Sequence, residues 1–302
     1  MGIFAAGAFD ASTLTTVSEL ADRARADDGV APFSDDLWAA VTDGRTELTL
    51  TLTDEGKVSG VAFTALQGDR LAAELVVDPR QRRRGLGGLL VAQLLERTDG
   101  ELWLWAHGDL PGARVLAGRH QLERTRELLQ LRRPWGPGAP PLPDVRLPDG
   151  VRIRTFVVGQ DEPAWLEVNN AAFSWHPEQS GQTMDDIRAA ESAADFDPAG
   201  FFLAVDETDR ILGFHWTKVH AHDPAAPDSG PIGEVYVVGV APEAHGRGLG
   251  AALTTTGLRH LAEVAGVETV QLYVEGDNAA ALKVYERTGF ARHLVDIAYR
   301  RG

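Results

Sequence analysis

The residues best suited to chemistry gather around two glycine-rich turns. In VYVVGVAPEAHGRGLGAALTTTGL a strand-like run reaches a proline, a short turn follows, and His245-x-x-Gly248-x-Gly250 opens a helical run. Gly246, Gly248 and Gly250 allow close backbone approach to an anion, and a new helix aims unpaired N–H groups and its positive dipole end at it. A pyrophosphate suits such a turn. Walker A is excluded because no Lys-Ser/Thr follows the glycines, and the dinucleotide fingerprint needs G-x-G-x-x-G directly after a strand. Alone, the pattern also reads as a tight strand-to-helix connection. Its recurrence as Arg82-x-x-Gly85-x-Gly87 favours the anion reading. The run Arg80, Arg82, Arg83, Arg84 could be a solvated charge cluster or a nucleic-acid patch, but at the mouth of an anion-binding turn in an acidic protein phosphate contacts are the preferred reading.

Two acid–base side chains accompany the second turn. Glu234 opens the strand GEVYVVGV. A carboxylate there can take a proton from an ammonium directly or through water, and an α-amino group of pKa about 8 needs little help. A strand-end glutamate facing solvent is the plain alternative. Tyr285 lies seven residues beyond Asn278 on the next helical run. A phenol of pKa about 10 is a weaker acid than a thiol of about 8.5, so it suits hydrogen bonding to a departing thiolate better than proton transfer. A half-buried core tyrosine is the alternative. Gly239 is unusual in a central strand and predicts a bulge that frees a backbone N–H.

The elements that must position these groups occur twice. Leu75–Leu90 overlays Val238–Leu253, with Pro79 on Pro242, Gly85 on Gly248 and Gly87 on Gly250, and Leu104–Arg133 overlays Leu272–Arg301 without a gap. A period of about 165 residues marks a duplicated domain rather than a solenoid. Patterning predicts an α/β fold with a mixed central sheet flanked by helices in each copy. In the second copy strands are expected at 151–156, 201–205, 211–220, 233–240, 269–274 and 291–299, and helices at 162–172, 184–192, 248–264 and 278–287. Pro134 to Gly150, rich in proline, reads as a stiff spacer, giving domains 1–133 and 150–302 around a linker at 134–149. By the same offsets Glu234 faces Leu71, Tyr285 faces Ala117 and Tyr273 faces Trp105. The first copy therefore keeps the turn and lacks the acid–base groups, which makes it a degenerate partner to a catalytic second copy.

Length and composition bound the function. A chain of 302 residues favours about two domains. A formal charge of −15 disfavours broad nucleic-acid or anionic-membrane binding. The absence of cysteine removes disulfides, thiolate metal ligands and an acyl-cysteine intermediate together. No run approaches the ~18 apolar residues of a membrane span, and a basic secretory start is missing, so a cytoplasmic location is expected. His215, His220 and His222 lie close in sequence, but strand alternation separates His215 from the other two, and no metal is assigned.

The turn resembles that of the GNAT acetyltransferase superfamily, whose Q/R-x-x-G-x-G/A segment cradles the pyrophosphate of coenzyme A. NNAAFSWHPEQSG, GFHWTKVH, GEVYVVGVAP and LYVEGDNAAALKVYERTGF further resemble the mycothiol synthase family, tandem GNAT enzymes of actinobacteria. That resemblance implies direct acetyl transfer from acetyl-CoA to the cysteinyl amine of 1D-myo-inositol 2-(L-cysteinylamino)-2-deoxy-α-D-glucopyranoside. It implies Glu234 as base, Tyr285 as acid, and acceptor contacts from Asp35, Glu178, Lys218, Glu234 and Tyr273. Acetyl-CoA contacts are implied at Val238, Gly239, Val240, His245, Gly246, Arg247, Gly248, Leu249, Gly250, Ala251, Asn278, Ala279, Ala280, Ala281, Leu282 and Lys283. In the first copy they fall on Leu75, Val76, Val77, Arg83, Arg84, Gly85, Leu86, Gly87 and Gly88. A monomer is expected, because a second domain can supply the interface that single-domain relatives obtain by pairing. Alternatives are a tandem GNAT acting on an aminoglycoside or a protein N-terminus, and a non-catalytic acyl-CoA sensor. The Pro-rich loop Ala221–Gly233 is longer than this family leads one to expect.

Overall fold

The computed structural model describes residues 2–6, 9–54, 57–174, 181–222 and 230–301. In chain order its elements are β1 (Gly2–Ala6), α1 (Ala11–Asp28), α2 (Asp35–Thr42), β2 (Leu48–Asp54), β3 (Lys57–Gln67), β4 (Arg70–Val77), α3 (Leu86–Arg97), β5 (Leu102–Ala106), α4 (Pro111–Arg119) and β6 (Leu122–Pro134). Then follow β7 (Arg152–Thr155), α5 (Glu162–Ala172), α6 (Met184–Glu191), β8 (Phe201–Val205), β9 (Ile211–His220), β10 (Ile232–Val240), α7 (Leu249–Arg259), β11 (Thr269–Glu275), α8 (Ala279–Arg287) and β12 (Ala291–Arg301). Short 3-10 turns at Pro79–Gln81 and Pro242–Ala244 lead into α3 and α7.

The chain packs as two compact units, residues 1–128 with 294–302, and residues 129–293. This division differs from the compositional boundary at 134–149, because it follows packing rather than proline content. The C-terminal part of β12 lies in the first unit, antiparallel to β5 with Ile297 opposite Ala106 and Tyr299 opposite Leu104. Ile297 and Tyr299 there join the core formed by Leu50, Leu52, Leu90 and Leu94. Residues 134–140 are tied by hydrogen bonds into the second unit, of which they are part. The buried Arg133 donates from Nε to the Thr288 carbonyl at 2.6 Å and bonds the Pro140 carbonyl, while the Trp135 N–H reaches the Glu268 carbonyl at 2.7 Å.

Within the first unit the strand order is β1-β2-β3-β4-β5-β12-β6, and within the second it is β6-β11-β10-β9-β8-β7. The pairs β4–β5 and β10–β11 are parallel, whereas β3–β4 and β9–β10 are antiparallel. Helix α1 shows why each sheet is covered: Val17, Leu20 and Ala24 share one face and pack on Val61, Phe63 and Val76. Each such buried Val, Leu or Phe contributes roughly 1.5–3 kcal/mol. On the other side α3 buries Leu86, Leu90, Val91 and Leu94. In the second unit α5 sets Trp165 edge-on to Phe201, Phe214 and Trp216, and α7 packs Leu249 and Leu253 against Ala204, Leu212 and Ala241. Periodicity anticipates α5, β8 and β9 at their observed bounds. It misses β1, and it carries α7 to Val264, whereas residues 260–264 form a wider π turn.

Candidate functional site

Two backbone features build the site in the second unit. The first is a fork between parallel strands. β10 and β11 pair at Ile232–Thr269, Gly233–Val270 and Glu234–Gln271, and their registered pairing ends there, while β10 stays paired with β9 as far as Val240. Glu234 therefore stands at the point where the strands part. The second feature is the turn into α7. Gly248 is its N-cap with φ 81°, no side chain caps the helix, and a Cβ at Gly246 or Gly248 would meet open space. The first-turn N–H groups of Leu249, Gly250 and Ala251 have no intrahelical acceptor, so they are available to an anion. A pyrophosphate at the turn and an extended amide arm in the fork match these donors in kind.

The expected bulge lies elsewhere. The β9–β10 register shifts between Val235 and Val237, which makes Tyr236 the extra residue, while Gly239 pairs in register with Phe214. Gly239 is glycine because a Cβ there would fall 2.6 Å from the Phe214 ring. The bulge also corrects the alignment of the copies. Val240 pairs with Gly213 as Val77 pairs with Gly60, but upstream of Tyr236 the count moves by one, so the counterpart of Glu234 is Ala72 rather than Leu71. Both pairs of parallel strands confirm it: Leu71 pairs with Leu102 as Gly233 pairs with Val270.

One face of the second unit carries the polar groups. Lys218 lies directly opposite Glu234, and directly opposed residues share a face. Its Nζ sits 4.1 Å from the Tyr236 ring centre and 3.6 Å from Asp195 Oδ2. His220, two residues along the same strand, hydrogen-bonds through Nε2 to Glu234 Oε2. The Glu234 bond and charge hold His220 above the usual imidazole range, against the opposing effect of burial. On β11 the exposed Tyr273 accepts a hydrogen bond from Gln130 Nε2 at 2.9 Å, and the same amide donates to Gln271 Oε1 at 3.0 Å. Gln130, Gln271 and His220, which bond to Tyr273, to one another or to Glu234, are neighbours of the candidate site that sequence reasoning did not pick out.

Tyr285 is buried on α8, edge-on to Phe290 at 5.7 Å, and burial pushes its phenol up to about 12. Asn278 is the α8 N-cap, its Oδ1 accepting from the Ala281 N–H at 3.1 Å, with Ala279, Ala280, Leu282 and Lys283 in the turns that follow. His245 turns back to its own strand, with Nε2 3.0 Å from the Val240 carbonyl. Its counterpart Arg82 does the same, donating from Nε to Val77 at 3.2 Å, and Asp28 takes its guanidinium as a fork. The first residue of each turn motif thus braces the turn itself. Arg84 pairs with Asp54 at 3.5 Å, and Arg83 adopts φ 65°, where the second copy has Gly246 at φ 75°.

Asp35 is exposed in the first turn of α2 in the first unit. Glu178, with its neighbours Trp175 and His176, lies outside the described residues, as do residues 223–229 of the Pro-rich loop. His215 faces the core, its Nδ1 2.9 Å from the Leu253 carbonyl, and burial lowers it to about 4. Among the described residues no cluster of three or more His, Asp or Glu could hold a metal, and no helix is long and apolar enough to cross a membrane.

The profile of the Acetyltransferase (GNAT) family matches residues 164–290. The mycothiol acetyltransferase of Thermomonospora curvata is 48% identical over 95% of this chain and 93% of its own length. That of Geodermatophilus obscurus is 48% identical over 97% and 95%. Among solved structures, a GCN5-related N-acetyltransferase from Sphaerobacter thermophilus superposes with TM-score 0.74 at 22% identity, covering 99% of this chain and 95% of that one. A tandem GNAT protein from the clavulanic acid biosynthesis pathway gives 0.68 at 19% identity, covering 99% and 97%. These structures establish a tandem GNAT fold, and the full-length identity goes further: the chain belongs to the mycothiol acetyltransferase family of N-acetyltransferases.

Proposed function

We propose that the chain acetylates the cysteinyl amine of 1D-myo-inositol 2-(L-cysteinylamino)-2-deoxy-α-D-glucopyranoside with acetyl-CoA, completing mycothiol, and that the second unit does the chemistry. The position of Glu234 at the β10–β11 fork, on the strand that runs into the phosphate-type turn, is the observation that carries this reading.

Glu234 takes a proton from the acceptor ammonium, directly or through one water, which frees the nitrogen lone pair. The amine nitrogen forms a bond to the thioester carbonyl carbon, the carbon–sulfur bond breaks with its electron pair leaving on the coenzyme A sulfur, and the proton that the nitrogen must still lose to become an amide passes to that sulfur or to water. Backbone N–H groups of Val238 and Val240, which face the open side of the fork, receive the carbonyl oxygen as its charge grows. Tyr285 stabilises the leaving sulfur by a hydrogen bond. A phenol near 12 gives up its proton poorly to a thiolate whose conjugate acid lies near 8.5. The α7 turn from His245 to Ala251 and the α8 start from Asn278 to Lys283 hold the coenzyme.

Glu234, Lys218 and Tyr273 offer the mixed acceptors and donors that a hydroxyl-rich acceptor needs, joined by Glu178. The first unit's turn, Leu75–Val77 with Arg83–Gly88, has the backbone to hold a second coenzyme molecule without turning it over. The test is incubation with acetyl-CoA and the cysteinyl acceptor, following free coenzyme A thiol and acceptor mass. A gain of one acetyl group on the amine supports the proposal. Turnover on other amines alone overturns the acceptor assignment.

A further inference from the structure

The imidazole bonded to Glu234 has no place in the reaction as described, and its setting fits more than packing. His220 and Lys218 share a strand face, and Glu234 sits opposite Lys218, so the His220 ring reaches Glu234 on the diagonal between paired strands. Its Nε2 engages Oε2 and leaves Oε1 for another partner. The side chains remain partly open, 33% for His220 and 13% for Glu234. In the first copy the register puts Gln67, Ala65 and Ala72 at the positions of His220, Lys218 and Glu234. The imidazole is absent where the carboxylate is absent.

We propose that His220 is a positioning residue for acetyl transfer: its Nε2–H anchors one oxygen of Glu234 and so presents the other to the acceptor amine. The inference rests on Glu234 being the base. A consequence concerns protonation. The groups facing His220 are Glu234 on β10, Lys218 on its own strand and Asp195 from the segment after α6. Glu234 and Asp195 favour the imidazolium, while Lys218 and burial oppose it. An imidazolium pairs with the carboxylate as a full ion pair and so competes with the acceptor ammonium for it, whereas the neutral ring keeps the anchoring N–H without that competition. Activity therefore rises as His220 loses its charge.

The experiment measures kcat and KM for both substrates from pH 6 to 9.5 in His220→Ala, His220→Gln, Glu234→Gln and the Ala/Gln double variant. Gln retains an N–H at the Nε2 position and does not titrate. His220→Ala is expected to lower kcat roughly 10- to 100-fold with the acetyl-CoA KM nearly unchanged, the scale of a misplaced reacting group. His220→Gln should recover most of that loss and shift the acid limb of the kcat profile to lower pH. The double variant should be no slower than Glu234→Gln alone, because both changes act through one group. The inference is overturned if His220→Ala stays within about twofold of wild type, or if Gln rescues nothing, or if it leaves the acid limb in place. Failure of the underlying reading looks different: Glu234→Gln itself would then retain turnover.

Discussion

Both copies place a carboxylate near the fork of their parallel strands, and they set it in opposite surroundings. In the second unit Glu234 is partly open, is held by one imidazole, and has an oxygen to spare. In the first, Glu74 on β4 is fully buried and saturated. Its Oε1 meets His107 Nε2 at 2.9 Å, its Oε2 accepts the Ser34 N–H at 2.9 Å, and His107 Nδ1 lies 3.1 Å from Asp296 on β12. Registered pairing of β4 with β5 ends at Ala73–Leu104, one residue before Glu74, so this chain of ions ties together strands that are parting. A carboxylate that must take a proton needs access and a free lone pair, whereas one that braces a fold needs neither. Between the copies, duplication preserved the turn and, on the function proposed above, divided those two uses.

Breaking the turns should separate the copies most sharply. Gly248→Val places a β-branched side chain at a left-handed position at the mouth of the proposed anion site, and should raise the acetyl-CoA KM roughly 100-fold by steady-state assay. Gly85→Val is expected to leave that KM within about twofold, the strain appearing instead as lower stability. Removing the brace should do the converse. Glu74→Ala leaves a buried imidazolium poorly paired, costing about 3–5 kcal/mol, read as a fall in the thermal midpoint with turnover below it preserved.

The same brace predicts a pH dependence. Burial alone would lower His107, but the Glu74 charge and the bonds from Asp296 and Glu74 raise it to about 10. Its contribution is complete below its unfolded pKa of about 6.5 and is lost as pH rises through about 10. The wild-type midpoint should therefore decline from neutral to alkaline pH more steeply than that of His107→Gln. The smallest effect concerns Arg83, whose φ of 65° stands where the second copy uses glycine. Arg83→Gly should raise stability by about 1 kcal/mol in denaturant unfolding.

The parts of this comparison differ in how plainly the sequence carries them. The turns are visible because Gly85 and Gly248 are dictated locally by a left-handed backbone. The bounds of α5, β8 and β9 follow from periodicity within a single element. The bulge at Tyr236 adds a residue without any Gly or Pro to mark it, and a gapless overlay consequently sets Glu234 against Leu71 instead of Ala72. The place of β12 beside β5 depends on pairing between residues nearly 200 apart, which no local pattern encodes. His220 had a signal, since it follows Lys218 by two on one strand face. Gln130 had none, because only the folded sheet brings it to Tyr273.

The division of labour between the copies is tested most directly by the kcat of Glu234→Gln on the cysteinyl amine acceptor at neutral pH, measured with its thermal midpoint. Loss of the base should lower kcat at least about 100-fold with the midpoint unchanged. A rate within about twofold of wild type would contradict the account and move the chemistry away from the β10–β11 fork.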